Sequence, residues 1–194
     1  MIRGIERAAH LSKGLARDLL EVFVLAIGLY LIATTTIQTV HVVGVSMAPT
    51  LQSDDLLIAS KIDYRLHAPE RGDIVIVKSP IDPGRDYIKR VIGLPGDYVM
   101  IRDSHVLING VVLEEPYVRD WQSSGKWPNQ LDSPQGELIP NDMYFVLGDN
   151  RDHSSDSRLF GWISRDEIDG KAVVRIWPVG HAALLDVKPY LAKE

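Results

Sequence analysis

Val106-Leu107-Ile108-Asn109-Gly110-Val111-Val112-Leu113 consists of two short aliphatic runs joined by Asn-Gly. That dipeptide is the preferred centre of a two-residue hairpin, because a type I′ turn needs positive φ at both central positions and matches the twist of its strands. The stretch therefore predicts an antiparallel β-hairpin. Outward from it the chain keeps the same rhythm. Leu56 to Ala59, Asp73 to Lys78, Tyr87 to Ile92, Tyr144 to Leu147 and Lys171 to Trp177 read as strands. Asp82-Pro83-Gly84 and Leu94-Pro95-Gly96-Asp97 are turns. Ile74 and Ile76 alternate with Val75 and Val77, so that strand is apolar on both faces and is expected to be buried. Ser164 and Glu167 have capping-box spacing for a short helix, and Trp121 to Pro140 has the composition of an exposed loop, with Trp121 and Trp127 placed to touch lipid headgroups. The class is mainly β, as a barrel or coiled antiparallel sheets.

The segment before these strands differs from them. Val22 to Val40 carries no charge and as a helix would extend ~28 Å at ~1.5 Å per residue, close to the ~30 Å of a bilayer's hydrocarbon core. Thr34, Thr35, Thr36, Gln38 and Thr39 place its far end among headgroups, where side-chain oxygens bond back to the helix or to water. Arg3, Arg7, Lys13 and Arg17 precede the span, and the first basic residue after it is Lys61, which predicts a cytoplasmic N-terminus and a translocated remainder. A cleaved secretory signal shares this layout, but the run closes on Thr and Gln rather than on an A-x-A pattern, which favours a retained anchor. The expected organisation is a short cytoplasmic segment at 1–21, a transmembrane anchor at 22–40 and an extracytoplasmic domain at 41–194 with a small cap at about 98–147.

Composition narrows the functions. The 194 residues include 26 acidic and 21 basic side chains, a formal net charge of −5 without charged blocks, which argues against a nucleic-acid partner. The chain has no cysteine, which excludes disulfides and Cys-based zinc sites.

Ser46 stands a few residues past the span, within ~20 Å of its end even in a fully extended chain, so chemistry there takes place at a membrane surface. A serine hydroxyl needs a neighbouring base to act as a nucleophile. Among the histidines only His153 lies in a polar segment, and a His-based triad has little support. Lys89 is the alternative, because strand alternation puts it on one face with Tyr87 and Val91 while Arg90 points with Ile88 and Ile92. Desolvation on an apolar face would lower its pKa. From ~10.4 the neutral form costs ~4.6 kcal/mol at pH 7, and a shift to ~8 recovers most of that. The other reading of Lys89 is a strand-edge lysine that snorkels to solvent. The run from Gly148 to Arg158 is too polar for a core and reads either as an active-site loop or as a solvated turn with salt bridges. A calcium loop fits badly, since counting from Asp149 or Asp152 puts no glycine sixth and no glutamate twelfth.

Ser46-Met47-Ala48-Pro49-Thr50-Leu51, Arg71-Gly72-Asp73-Ile74-Val75, Tyr87 to Asp97 and Gly148 to Gly161 together resemble, in order, the boxes of bacterial type I signal peptidases. The resemblance implies a signal-peptidase-like fold and a membrane-anchored Ser/Lys endopeptidase that removes signal peptides from translocated preproteins after small residues, at A-x-A sites, without metal or cofactor. It implies Ser46 as nucleophile and Lys89 as general base, with Ser154 hydrogen-bonded to Lys89, Asp156 paired with Arg158, and Asp149 bridged to Arg90. It places Met47, Leu51, Tyr87 and Ile88 along the substrate pockets. The expected partners are preprotein signal peptides and the lipid bilayer of the cell membrane. Gly44 stands where some members carry a serine that helps bind the oxyanion, which leaves the Ser46 N–H as the implied donor. A self-cleaving Ser/Lys regulator of the repressor type lacks such an anchor. A serine β-lactamase is disfavoured by Pro49 three residues after the serine, and a non-cutting, tethered peptide-binding domain by the intact Ser46 and Lys89.

Overall fold

A computed structural model describes residues 2–119, 121–122, 136–185 and 190–191. The chain divides into two compact units, Met1–Ile37 and Gln38–Glu194. The first is one long helix, α1 (Ile2–Thr36). Its stretch Arg17–Thr36, 20 residues, is long and apolar enough to cross a bilayer. Phe23, Leu25, Leu29 and Tyr30 are all exposed, the pattern of a helix apolar on every side. The helix ends sooner than the expected limit at Val40. Thr34 and Thr35 turn their hydroxyls back onto the carbonyls of Tyr30 (3.0 Å) and Leu31 (2.8 Å). The β-branched residues that follow enter a strand, β1 (Ile37–His41), where their stiff side chains fit better than in a helix.

The second unit is antiparallel β, as the strand pattern leads one to expect. The larger sheet is built from β1, β2 (Leu56–Ser60), β3 (Ile74–Lys78), β4 (Asp86–Gly93), β9 (Met143–Leu147), β10 (Ile163–Ser164) and β11 (Ile168–Trp177). Their order is β1-β2-β11-β3-β4-β9-β10, with β12 (Ala183–Leu184) paired to β11. Ile74, Val75, Ile76 and Val77 of the central β3 are each at most 1% exposed, so this strand is buried on both faces. Burial of each such side chain contributes ~1.5–3 kcal/mol. Register matters for the site: Val75 pairs with Lys89 and Ile74 with Arg90, which anchors the middle of β4 to the most buried strand.

The smaller sheet contains β5 (Tyr98–Arg102), β6 (His105–Ile108), β7 (Val111–Glu114), β8 (Glu137–Leu138) and β13 (Tyr190–Leu191), in the order β13-β7-β6-β5-β8. The expected hairpin is present. Leu107 pairs with Val112 and Ile108 with Val111, and Asn109 and Gly110 have φ of 54° and 83°. Asn109 also accepts from the Tyr98 N–H (2.8 Å) and donates to Asp97 (3.0 Å). A second two-residue hairpin, at Asp103 and Ser104 (φ 49° and 59°), joins β5 to β6. The sequence reading passed over it because neither residue is glycine. The expected cap, 98–147, is too long at its end: β9 pairs with β4 and β10 and belongs to the larger sheet. Most of the Trp121 to Pro140 loop, with Trp127, lies outside the described residues. Ser164 caps a short 3₁₀ turn, Arg165–Glu167, whose last residue, Glu167, accepts from the Ser164 N–H at 2.7 Å.

Gly110→Ala forces a Cβ into the left-handed region and is expected to lower stability by ~1–2 kcal/mol, read as a fall in the urea midpoint with an unchanged slope.

Candidate active site

Lys89 lies in the middle of β4, and its Nζ is 3.0 Å from Ser46 Oγ. It is 3% exposed, and the ring of Tyr87, two residues back on the same face, is centred 5.2 Å from Nζ. Burial lowers the Lys89 pKa to about 8; Asp156 and Asp149 oppose the fall, and Arg158 adds to it. At that value about one lysine in ten is neutral at pH 7, against about one in three thousand unperturbed. The pair therefore has hydrogen-bond reach and a base whose pKa suits neutral pH.

Arg90 points to the opposite face. It is wholly buried and reaches Asp149 through Nε (2.8 Å) and Nη2 (2.6 Å), and the Gly72 carbonyl through Nη1 (3.0 Å). Asp149 also accepts from the Thr50 hydroxyl at 2.5 Å. β4, the loop after β9 and the segment just past Ser46 thus meet at one carboxylate. Asp156 accepts from the Gly148 N–H (3.0 Å) and forms two hydrogen bonds to Arg158, Nε and Nη2, each 2.8 Å. Both of these pairs are buried, where loss of one partner costs ~3–5 kcal/mol. Asn150 secures the Ser46 backbone from the other side: its N–H donates to the Ser46 carbonyl (3.0 Å) and its side-chain amide to that of Val45 (3.1 Å).

The pair opens into a cleft of about 580 Å³, lined by the consecutive residues Gln38 to Gly44, by Arg85 to Lys89, and by Ser46 and Met47. Consecutive lining residues mean that the backbone edge of β1, not one side-chain face, borders the space. In the sheet order β1 is an edge strand, so that edge has main-chain groups to offer an extended peptide. Among the described residues no group of three or more His, Asp or Glu side chains is gathered to hold a metal ion.

A family model described as "Signal peptidase, peptidase S26" matches residues 16–177. The chain belongs to the signal peptidase family. Similar members include the "Signal peptidase I" of Leptolyngbya laminosa, 41% identical over 86% of this chain and 80% of that one. The "Probable signal peptidase I-2" of Synechocystis is 39% identical over 88% and 76%. The "Signal peptidase IB" of Staphylococcus aureus is 32% identical over 87% and 92%.

Within this signal peptidase the structure brings together Ser46, Lys89, Arg90, Asp149, Asp156 and Arg158, and Met47, Tyr87 and Ile88 border the cleft. Two expected roles differ. Leu51 is fully buried, in the same core cluster as Leu57 and Ile74, and borders no part of the cleft, because one turn after Ser46 the chain has already passed into the core. Ser154 Oγ is buried close to Gly148 but makes no hydrogen bond to Lys89 or to any other described group, while Nζ reaches Ser46. His153 is exposed, and its ring meets Asn150 Oδ1 at 3.2 Å rather than Ser46. Trp121 packs against two guanidiniums, Arg151 and Arg158 (4.9 and 5.6 Å from ring centroid to Cζ), instead of standing free for lipid. Thr50 and Asn150 were missed as supports. The polar density around Asn150 was the available signal, whereas nothing local marks Thr50. Gly44 has a φ of 95°, a backbone state that favours glycine.

A Cβ at Gly148 would collide with Ser154 Oγ and the Ser46 carbonyl. Gly148→Ala is therefore expected to displace Ser46 and cost on the order of 100-fold in kcat, while thermal unfolding shows a folded protein.

Proposed function

We propose that the chain is a membrane-anchored endopeptidase that cuts signal peptides from translocated preproteins with a Ser46–Lys89 dyad. The observation that carries this reading is the 3.0 Å approach of a buried lysine, with its pKa lowered to about 8, to a serine hydroxyl at the end of an open cleft. Neutral Lys89 takes the Ser46 Oγ–H proton as Oγ attacks the scissile carbonyl. The ammonium so formed returns the proton to the departing amine, and water then releases the acyl-enzyme by the same relay. The Ser46 N–H is the proposed donor to the oxyanion. No cofactor or metal takes part.

The signal peptide's C-region binds as an extended strand in the cleft, where main-chain pairing with the β1 edge supplies affinity and alternate side chains enter the wall of Met47, Tyr87 and Ile88. Both Met47, nearly buried, and the bulk of Tyr87 restrict the room there, which supports a preference for small residues before the cut. α1 is the anchor, with the basic N-terminal segment on the cytoplasmic side and Gln38–Glu194 outside.

A preprotein with an A-x-A site, supplied in detergent or liposomes, is expected to be processed by the intact protein and left uncut by Ser46→Ala and Lys89→Ala. Processing by either variant contradicts the dyad, and binding without cutting by the intact protein points to the tethered binding domain. Single-turnover cleavage should rise with pH through about 8 and then level, because loss of the Lys89 proton creates the base. A flat profile across that range counts against it. Lys89→Arg is expected to fold but not to turn over, since a guanidinium stays protonated at working pH; turnover in that variant refutes the assignment of the base.

A further inference from the structure

Glu115, Pro116, Tyr117 and Val118 leave β7 and run alongside the loop that carries Asp149 and Asp156, and Trp121 packs on the same loop. Tyr117 is buried with its ring over the Arg90 guanidinium, 3.8 Å from centroid to Cζ. Its hydroxyl donates to Glu115 Oε1 at 2.8 Å, and that same oxygen accepts from Arg151 Nη2. Arg151 Nε in turn donates to the Gly148 carbonyl at 3.1 Å. Trp121 presents its ring to both Arg151 and Arg158, Arg158 Nη2 donates to the Arg151 carbonyl at 2.6 Å, and the Gln122 N–H donates to Asp152 at 3.1 Å. Three of the groups held in this way lie one step from the dyad. Arg90 neighbours Lys89 in β4, Gly148 abuts the Ser46 carbonyl, and Arg158 holds Asp156.

We propose that residues 115–119 and 121–122 form a strap that presses the 148–158 loop onto β4 and so positions Lys89 against Ser46. The inference rests on the Ser46–Lys89 reading and adds a set of positioning residues, Glu115, Tyr117 and Trp121, none of which borders the cleft at the dyad. Three of the charges that act on Lys89, those of Asp149, Asp156 and Arg158, sit on the strapped loop, while Tyr87 and Ser46 face it from β4 and the nucleophile turn. A loosened strap admits water beside Nζ, relieves the desolvation, and returns the lysine toward its ordinary value. The consequence is a base that needs higher pH, not an enzyme uniformly weaker at every pH.

The test compares kcat and KM as functions of pH for the full chain in liposomes and for Glu115→Gln, Tyr117→Phe, Trp121→Leu and Trp121→Phe, with Lys89→Ala alongside. Expected is an upward move of the rising limb of kcat by about one unit in Trp121→Leu and Glu115→Gln, which is about a tenfold loss at pH 7. The loss is recovered at alkaline pH, with KM within about twofold of the unmodified protein, a proportion small beside the tenfold effect. Trp121→Phe, which keeps an aromatic face beneath both guanidiniums, restores most of the loss. Tyr117→Phe keeps its ring on Arg90 and gives up only one hydrogen bond, so it decides the matter by its smaller shift if the larger truncations do not fold. An unmoved limb in the folded variants, or an equal fall in kcat at every pH, overturns the strap while leaving the dyad intact. Turnover in Lys89→Ala overturns the dyad and the strap with it.

Discussion

The carboxylate of Asp149 is the point on which the site depends. It accepts two hydrogen bonds from Arg90 and one from Thr50, and so ties a strand, a loop and the turn after Ser46 into one frame. All three come from distant parts of the chain, and the pair is buried, so its charges have no solvent to fall back on. A buried pair with one partner missing is far costlier than either the intact pair or an apolar substitute. The arrangement is accordingly all or none. If the loop leaves β4, Arg90 and Asp149 are both stranded, and Lys89 on the opposite face of the same strand loses its setting.

The setting of Lys89 has its own cost. An ammonium held where the pKa has fallen from 10.5 to about 8 is disfavoured by about 3 kcal/mol relative to water. In the native state the lysine releases its proton at lower pH than in the unfolded chain. Its contribution therefore destabilises the fold below about pH 8 and is relieved as the pH climbs toward 10.5. β4 tolerates this because its register partner β3 is the most thoroughly buried strand of the sheet and holds Val75 opposite Lys89. Stability given up at one side chain is offset by aliphatic burial in the strand beside it.

The bilayer-length helix and the cleft follow from how the chain changes character near Thr36. A helix apolar on every side gives way to β-branched residues that form an edge strand, and the open edge of that strand borders the cleft. An unpaired strand edge of this kind has main-chain groups to offer an extended peptide, close in sequence to a helix long and apolar enough to cross a bilayer. Edge strands are ordinarily a hazard for aggregation, and this one borders the cleft.

Local patterns were enough for much of the fold. Asn109-Gly110 specified its hairpin because few residues accept positive φ, and the unbroken apolar run of Ile74 to Val77 marked a strand buried on both faces. Strand alternation separated Lys89 from Arg90, and the resemblance of four short boxes brought Ser46, Lys89, Asp149, Asp156 and Arg158 into one site. Asp103-Ser104 was missed because it has no glycine, and Asp with Ser marks a pair of positive φ values more weakly than Asn-Gly does. Likewise the end of α1, the burial of Leu51, the unpartnered Ser154 hydroxyl and the stacking of Tyr117 and Trp121 on arginines were illegible in advance. By itself the sequence determined which segments are strands, which helix is apolar enough for a bilayer, and which residue types are available for nucleophile and base. Only the tertiary structure decided which polar groups meet and how far each is desolvated. Periodicity reports the face on which a side chain lies, whereas hydrogen-bond partners and a lysine's pKa depend on groups tens of residues away that packing alone brings near.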